Sequence, residues 1–223
     1  TYPLLLPDPL SPAYALSQDP FALLVLGAIG FAFYRRLVLH PHRLEGDETE
    51  HMDALIILGM IGALMLTLLL IGAFQHVADP ASVPASKPVS RLLGSALGAV
   101  TAPGAAHLGH EINWWVHALL ILVFLNYLPY SKHLHIASSI PNVYLSNTSG
   151  PGQVGVMRAM DLEAEGVEQF GASDVEHLTW KNLLDGYSCT ECGRCTAACP
   201  ANLTGKGLSP RKIGINVGQR LME

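Results

Sequence analysis

ALIILGMIGALMLTLLLIGAF, residues 54–74, runs for 21 residues without a charge. A helix of that length, at ~1.5 Å per residue, crosses the ~30 Å hydrocarbon core of a bilayer. Working outward, residues 112–131 form a second uncharged stretch, with Trp114, Trp115, Tyr127 and Tyr130 near its ends, where aromatic belts sit. A third runs from Phe21 to Leu39 and ends on Arg35 and Arg36, whose long stems let the charges snorkel to the interface. Composition agrees: half of the 223 residues are hydrophobic and only 14% are charged, with a mean hydropathy of +0.32. A soluble domain of this size carries more charge. The expected fold is mainly α, a transmembrane helical bundle with spans at about 20–39, 53–75 and 112–131.

All four cysteines fall in CTECGRCTAACP, residues 189–200. The spacing is C-x2-C-x2-C-x3-C-P, the bacterial run that holds cubane iron–sulfur clusters. Cys189, Cys192 and Cys195 lie on one tight loop, and Gly193 lets its backbone come close to the inorganic sulfides. Three corners of one 4Fe-4S cube are therefore reached locally. Cys199, followed by the helix-starting Pro200, points away in the two-cluster arrangement and ligates the other cube. The sequence holds no second set of cysteines. Either the chain stops before a second motif, or another polypeptide completes that cluster. A zinc site fits poorly, because its second half-site usually lies a dozen or more residues away. Thiolates that assemble iron and sulfide belong in a reducing compartment, which sets the cysteines on the cytoplasmic side.

Basic residues give the same orientation. Arg35, Arg36 and Arg43 lie between the first and second spans, whereas the longer 75–111 loop holds only Lys87 and Arg91. Residues 40–52 and everything after Lys132 are expected inside, and residues 75–111 outside. That leaves the N-terminus outside. Residues 1–20 lack a cleavable signal's basic start, so their translocation calls for membrane helices upstream. In the outer loop, residues 92–106 read as a half-buried helix interrupted at Pro103-Gly104. The region 146–185 reads as a polar cytoplasmic linker, acidic at Asp161, Glu163, Glu165 and Glu168. Glycosylation triplets at Asn147 and Asn202 fall on the inner side and are chance matches. A net charge of −5 and the lack of a basic stripe argue against nucleic-acid binding.

Histidines decide what the membrane part does. His117 and His135 are 18 residues apart. Eighteen steps of ~100° make five whole turns, so on one helix both rings project from one face, ~27 Å apart. Two stacked b-type haems need such a pair, each haem taking its second histidine from another helix. The plain alternative is that His117 bonds a carbonyl in the bundle and His135 is interfacial. His133, rotated by ~160° from that face, reads as a basic interfacial neighbour. His51 and His76 also bracket the membrane and could supply opposite ligands, although their ~37 Å separation matches only with tilt. His107 and His110, just outside the third span, read as solvated loop histidines, with proton exchange for a quinone as the alternative.

WVHALL, from Trp115, through LPYSKHLHI, ending at Ile136, resembles the last helix of the nitrate reductase gamma subunit, whose haem-binding histidines share the 18-residue spacing. More widely, residues 21–43, 53–74 and 131–142 and the WKNLLD lead-in from Trp180 to Asp185 are similar to membrane-bound heterodisulfide-reductase-related iron–sulfur proteins. Those resemble a gamma-type cytochrome b fused to a two-cluster ferredoxin and to cysteine-rich CCG domains, and they include quinone oxidoreductases for electron-transferring flavoprotein. The resemblance implies a cytochrome b-like domain over 1–145, a linker over 146–185 and the first half of a two-cluster ferredoxin over 186–223. It implies opposite haem ligands on helices N-terminal to residue 1, and a fragment truncated at both ends.

The function expected is a quinone-linked oxidoreductase in the cytoplasmic membrane of a prokaryote. Electrons would pass between a soluble partner, such as electron-transferring flavoprotein or a thiol/disulfide substrate, and membrane quinone. Their route is two 4Fe-4S clusters on Cys189, Cys192, Cys195 and Cys199 and two b haems on His117 and His135. Other subunits, or further parts of the same polypeptide, would complete the sites. Two other classes compete: a non-haem membrane anchor carrying a ferredoxin for a larger complex, distinguished by haem content, and an iron–sulfur redox sensor, distinguished by lack of turnover. The orientation is checked with a Ser82→Cys variant. An impermeant thiol reagent is expected to label it only from the outer face of oriented membrane vesicles, and labelling only from the cytoplasmic face reverses the assignment.

Overall fold

The computed structural model describes residues 10–41, 44, 48–146, 163 and 171–223. Arg43, the Asn147 triplet and the acidic residues Asp161, Glu165 and Glu168 lie outside them. The described residues form helices and no strand, and they fall into two compact units divided after Tyr127.

The first unit contains α1 (Leu10–Tyr34), α2 (Glu48–Ala78), α3 (Pro88–Gly98) and α4 (Pro103–Tyr127). The apolar runs give three helical stretches long enough to cross a membrane, Ala13–Leu39, His51–Ala78 and Pro103–Tyr130. The third begins nine residues before the expected position. The charge at Glu111 and the histidines at 107 and 110 set that expectation, but a helix carries such groups readily near its end. His107 and His110 thus belong to α4 rather than to a loop. Leu24, Leu119, Leu122 and Leu125 face outward and are exposed. In water they would make an aggregating surface, whereas in hydrocarbon they meet their solvent.

The other three helices all pack on α2. Its Ile57, Leu64, Leu69 and Ala73 are buried, as are Ala22 and Ile29 of α1 and Ala106 of α4. α3 lies close enough to α2 that side-chain size is the limit. A Cβ on Gly94 would sit 2.8 Å from both the Ala73 carbonyl oxygen and the His76 Cβ, and one on Gly72 would sit 2.6 Å from Ser90 Oγ. Small residues let two helix backbones approach in this way. The start of α3 is held from α1. Lys87 stands at its N-cap without a capping bond. Buried Asp19 does the work instead, its Oδ2 accepting from the Val89 and Ser90 amides at 2.7 and 2.9 Å and its Oδ1 from Ser90 Oγ. A carboxylate on these orphan amides also meets the positive end of the helix dipole.

The second unit opens with a 3-10 turn, Leu128–Tyr130, and continues with α5 (Leu134–Tyr144), α6 (Trp180–Tyr187), α7 (Arg194–Ala198), α8 (Pro200–Leu203) and α9 (Pro210–Met222). This opening corrects one expectation. The five-turn argument needs an unbroken helix from His117 to His135, and α4 ends at Tyr127. Pro129 has no N–H to give the preceding turn and disfavours helical backbone at Leu128. Ser131 then folds back, Oγ donating to the Leu128 carbonyl at 3.1 Å and accepting from the His133 amide at 3.2 Å. His135 therefore belongs to α5, and helical phase does not relate the two rings. Farther along, Thr179 and Ser209 cap α6 and α9 by accepting from the Asn182 and Lys212 amides. α6 and α9 meet at glycines, a Cβ on Gly186 falling 2.9 Å from Val217 Cγ1. Arg220 of α9 donates to both carboxylate oxygens of Asp174, at 3.1 and 3.0 Å, and this pairing holds the Asp174 carboxyl down at about 2.

The α2–α3 contact predicts unequal glycines. Gly94→Ala overpacks a site walled by backbone and is expected to cost about 1–3 kcal/mol. Gly59→Ala, with nothing within 4 Å of the added carbon, is expected to be neutral or mildly stabilising. Thermal unfolding of both variants in detergent measures the difference.

Candidate redox centres

The cysteine loop begins where α6 stops. Glu191 and Gly193 both take left-handed backbone, at φ 56° and 73°. Together they turn the chain twice within five residues and lead it into α7. Gly193 adopts this conformation freely, whereas Glu191 does so against its Cβ. The Glu191 amide points at Cys189 Sγ, 3.4 Å away. Burial pushes the Cys189 thiol up; the Glu191 amide acts against it, while the Glu191 carboxylate, Cys195 and Cys192 add to the rise. Iron binding at this half-buried sulfur has to displace a proton. Cys199 takes extended backbone between α7 and α8, with Pro200 opening the next helix. Among the described residues no three His, Cys, Asp or Glu side chains converge as on a single ion. A cube of four irons and four sulfides holds its thiolates farther apart than one ion does, and soft sulfur donors at this spacing suit it.

The histidines share a feature that spacing did not reveal. His117 Nδ1 lies 2.8 Å from Thr67 Oγ1. That hydroxyl has one proton, and carbonyls that can only accept it stand at 2.7 Å on Ala63 and 3.1 Å on Leu64. The arrangement assigns the Nδ1 proton to His117, donating to Thr67, and leaves Nε2 with its lone pair. Asn113 closes the group by donating from Nδ2 to the Thr67 carbonyl at 2.7 Å. His135 is set the same way by the Lys132 carbonyl, 2.6 Å from its Nδ1, and His110 by the Ile71 carbonyl at 3.2 Å. A ring whose Nδ1–H is bound to the protein offers Nε2 to a metal. The His133 and His135 rings meet edge to face with centroids 6.0 Å apart. Among the described residues, none gives the buried Nδ1 of His76 a hydrogen-bond partner.

Thr67 and Asn113, both buried, escaped the sequence reading. Their signal was polarity inside apolar runs, which in a membrane helix marks a contact or a site. Tyr127, read as a belt residue, donates from its hydroxyl to Asp53 Oδ1 at 2.5 Å.

A family described as a 4Fe-4S dicluster domain matches residues 143–204. The chain is 36% identical over 215 residues to the probable iron-sulfur-binding oxidoreductase FadF of Bacillus subtilis, a match covering 96% of this chain and 29% of that protein. It is 32% identical over 199 residues to the EtfAB:quinone oxidoreductase of Syntrophomonas wolfei, covering 85% of this chain and 26% of the relative. It is 30% identical over 126 residues to a probable membrane-anchored ferredoxin of Chromohalobacter salexigens, covering 55% and 17%. The chain spans less than a third of the length of each of these relatives. No solved structure matches it. The chain thus joins three membrane-length helices to a stretch that matches a 4Fe-4S dicluster domain, and it is similar to parts of longer iron–sulfur oxidoreductases.

The Thr67 group predicts a stability difference. Thr67→Val removes the acceptor and strands the His117 Nδ1–H, at a cost expected near 1–3 kcal/mol, whereas Thr67→Ser keeps the hydroxyl and most of the stability. Paired thermal unfolding curves in detergent check it.

Proposed function

We propose that the chain passes electrons between a soluble redox protein and membrane quinone, as part of a quinone-linked oxidoreductase in the cytoplasmic membrane. The observation that carries this reading is the joining, in one chain, of three membrane-length helices to the four-cysteine run. The name of the Syntrophomonas relative points to electron-transferring flavoprotein as donor or acceptor and to quinone on the other side. The cysteine loop faces the cytoplasm in this reading, consistent with the arginines at 35 and 36.

Cys189, Cys192 and Cys195 would hold three irons of one 4Fe-4S cluster. Cys199 would hold an iron of a second, completed by cysteines outside these 223 residues. His117 and His135 would each offer Nε2 to a different b haem. Clusters and haems of these kinds take up and release electrons one at a time, which matches a two-electron flavin or quinone to a chain of single-electron steps. The chain's own residues would supply the ligands and fix their protonation, Thr67 and the Lys132 carbonyl holding the Nδ1 protons. A second reading, a ferredoxin anchored without haem, is favoured by the break after Tyr127 and by the Chromohalobacter likeness.

The reduced-minus-oxidised optical spectrum of the membrane-embedded protein separates them. Under the haem reading His117→Ala and His135→Ala are each expected to remove one b haem, or turn it high-spin, and to spare the other. Full haem content and an unchanged low-spin spectrum in both variants make the histidines structural. A haem-free wild type supports the anchor.

A further inference from the structure

The cysteine loop is tied to the stretch preceding α5 by one ion pair, between the Lys132 ammonium and Glu191 Oε2. The two side chains are only 21% and 19% exposed. Glu191 is the residue held in left-handed backbone between Cys189 and Cys192, and its amide is the one that points at Cys189 Sγ. The carbonyl of the same Lys132 accepts the Nδ1 proton of His135. Lys132 thus touches the ligand candidates of both redox groups, one through its side chain and the other through its backbone.

We propose that Lys132 is the positioning residue that couples the first 4Fe-4S cluster to His135. The proposal rests on the reading in which Cys189, Cys192 and Cys195 hold that cluster and His135 a haem. The ion pair acts in two ways. It clamps Glu191 in a backbone conformation that its Cβ disfavours, and so keeps the amide aimed at Cys189 Sγ. It also sets a positive charge against a carboxylate beside the cluster. An unopposed carboxylate there would repel an incoming electron, and with solvent largely excluded the repulsion is weakly screened. Removing the ammonium should therefore make the cluster harder to reduce. Between the two centres the pair completes a line of covalent and hydrogen-bonded contacts, from the His135 ring through the Lys132 carbonyl and ammonium to Glu191 and Cys189 Sγ. An electron crossing by this line makes no jump through empty space.

The test uses the membrane-embedded protein with Lys132→Met, Lys132→Arg, Glu191→Gln and the Lys132→Met/Glu191→Gln double variant. EPR-monitored redox titration reads the cluster potential, and rapid mixing with a reductant reads how fast the haem fills from the cluster. Lys132→Met is expected to lower the cluster potential and slow haem reduction while leaving the haem spectrum intact, because the backbone carbonyl remains. Lys132→Arg should keep most of both. Glu191→Gln should raise the potential, and the double variant, in which both charges of the pair are gone, should return close to the wild-type value. Loss of the cluster in Lys132→Met with recovery in Lys132→Arg also supports the clamp. A wild-type cluster and haem with Lys132→Met indifferent in potential and rate, or a double variant that stays as low in potential as Lys132→Met, overturns the inference. A wild type without cluster or haem overturns it by removing the reading beneath it.

Discussion

Inside a bilayer a polar group has no water to fall back on, so every donor and acceptor must find its partner within the protein. The first unit is organised by that constraint around α2. Thr67 sends its proton back to its own helix and turns its oxygen to His117. Asn113 takes the Thr67 carbonyl, and His110 takes that of Ile71. These contacts fix how α4 lies along α2 more narrowly than the apolar side chains do, since one leucine packs in hydrocarbon about as well as another. They also fix which nitrogen of each histidine is left over. Packing and the tautomer of each ring thus rest on the same few bonds.

The membrane helices were legible because an uncharged run of 21 residues has few other uses, and the cysteines because their spacing is specific. The break between α4 and α5 was legible in principle. Pro129 and Ser131 mark it, but the regular 18-residue histidine spacing outweighed them. Thr67 could be seen as polar, yet nothing local shows that its partner is 50 residues away on another helix. The same holds for Asp19, which caps a helix 70 residues downstream, and for Lys132 and Glu191. Pairings between distant stretches leave no periodic trace in one sequence, whereas burial, helix length and ligand spacing do.

In the cysteine region, short helices alternate with residues in left-handed or extended backbone, and little apolar surface is available to hold them. The α6–α9 glycine contact, the two helix caps and the Asp174–Arg220 pair supply the frame. The last of these is exposed, so its direct contribution to stability is small. Its bidentate geometry nevertheless fixes direction, and it joins the segment before α6 to the C-terminal helix. Cys189 lies on that frame, 3.8 Å from where a Cβ on Gly214 would stand. Cys189 accordingly rests against α9 as well as on its own turn.

α3 reaches two membrane helices at once, pressing its glycine on α2 and receiving the Asp19 carboxylate from α1. It works as a cross-brace. Packed membrane helices commonly answer a thinner or thicker bilayer by tilting or sliding past one another. For α1 and α2 a lengthwise slide would tear Asp19 from two amides and drive Ser90 off Gly72. A change in membrane thickness must then be met by the lipid, and the α1–α2 pair keeps one height in whatever bilayer surrounds it.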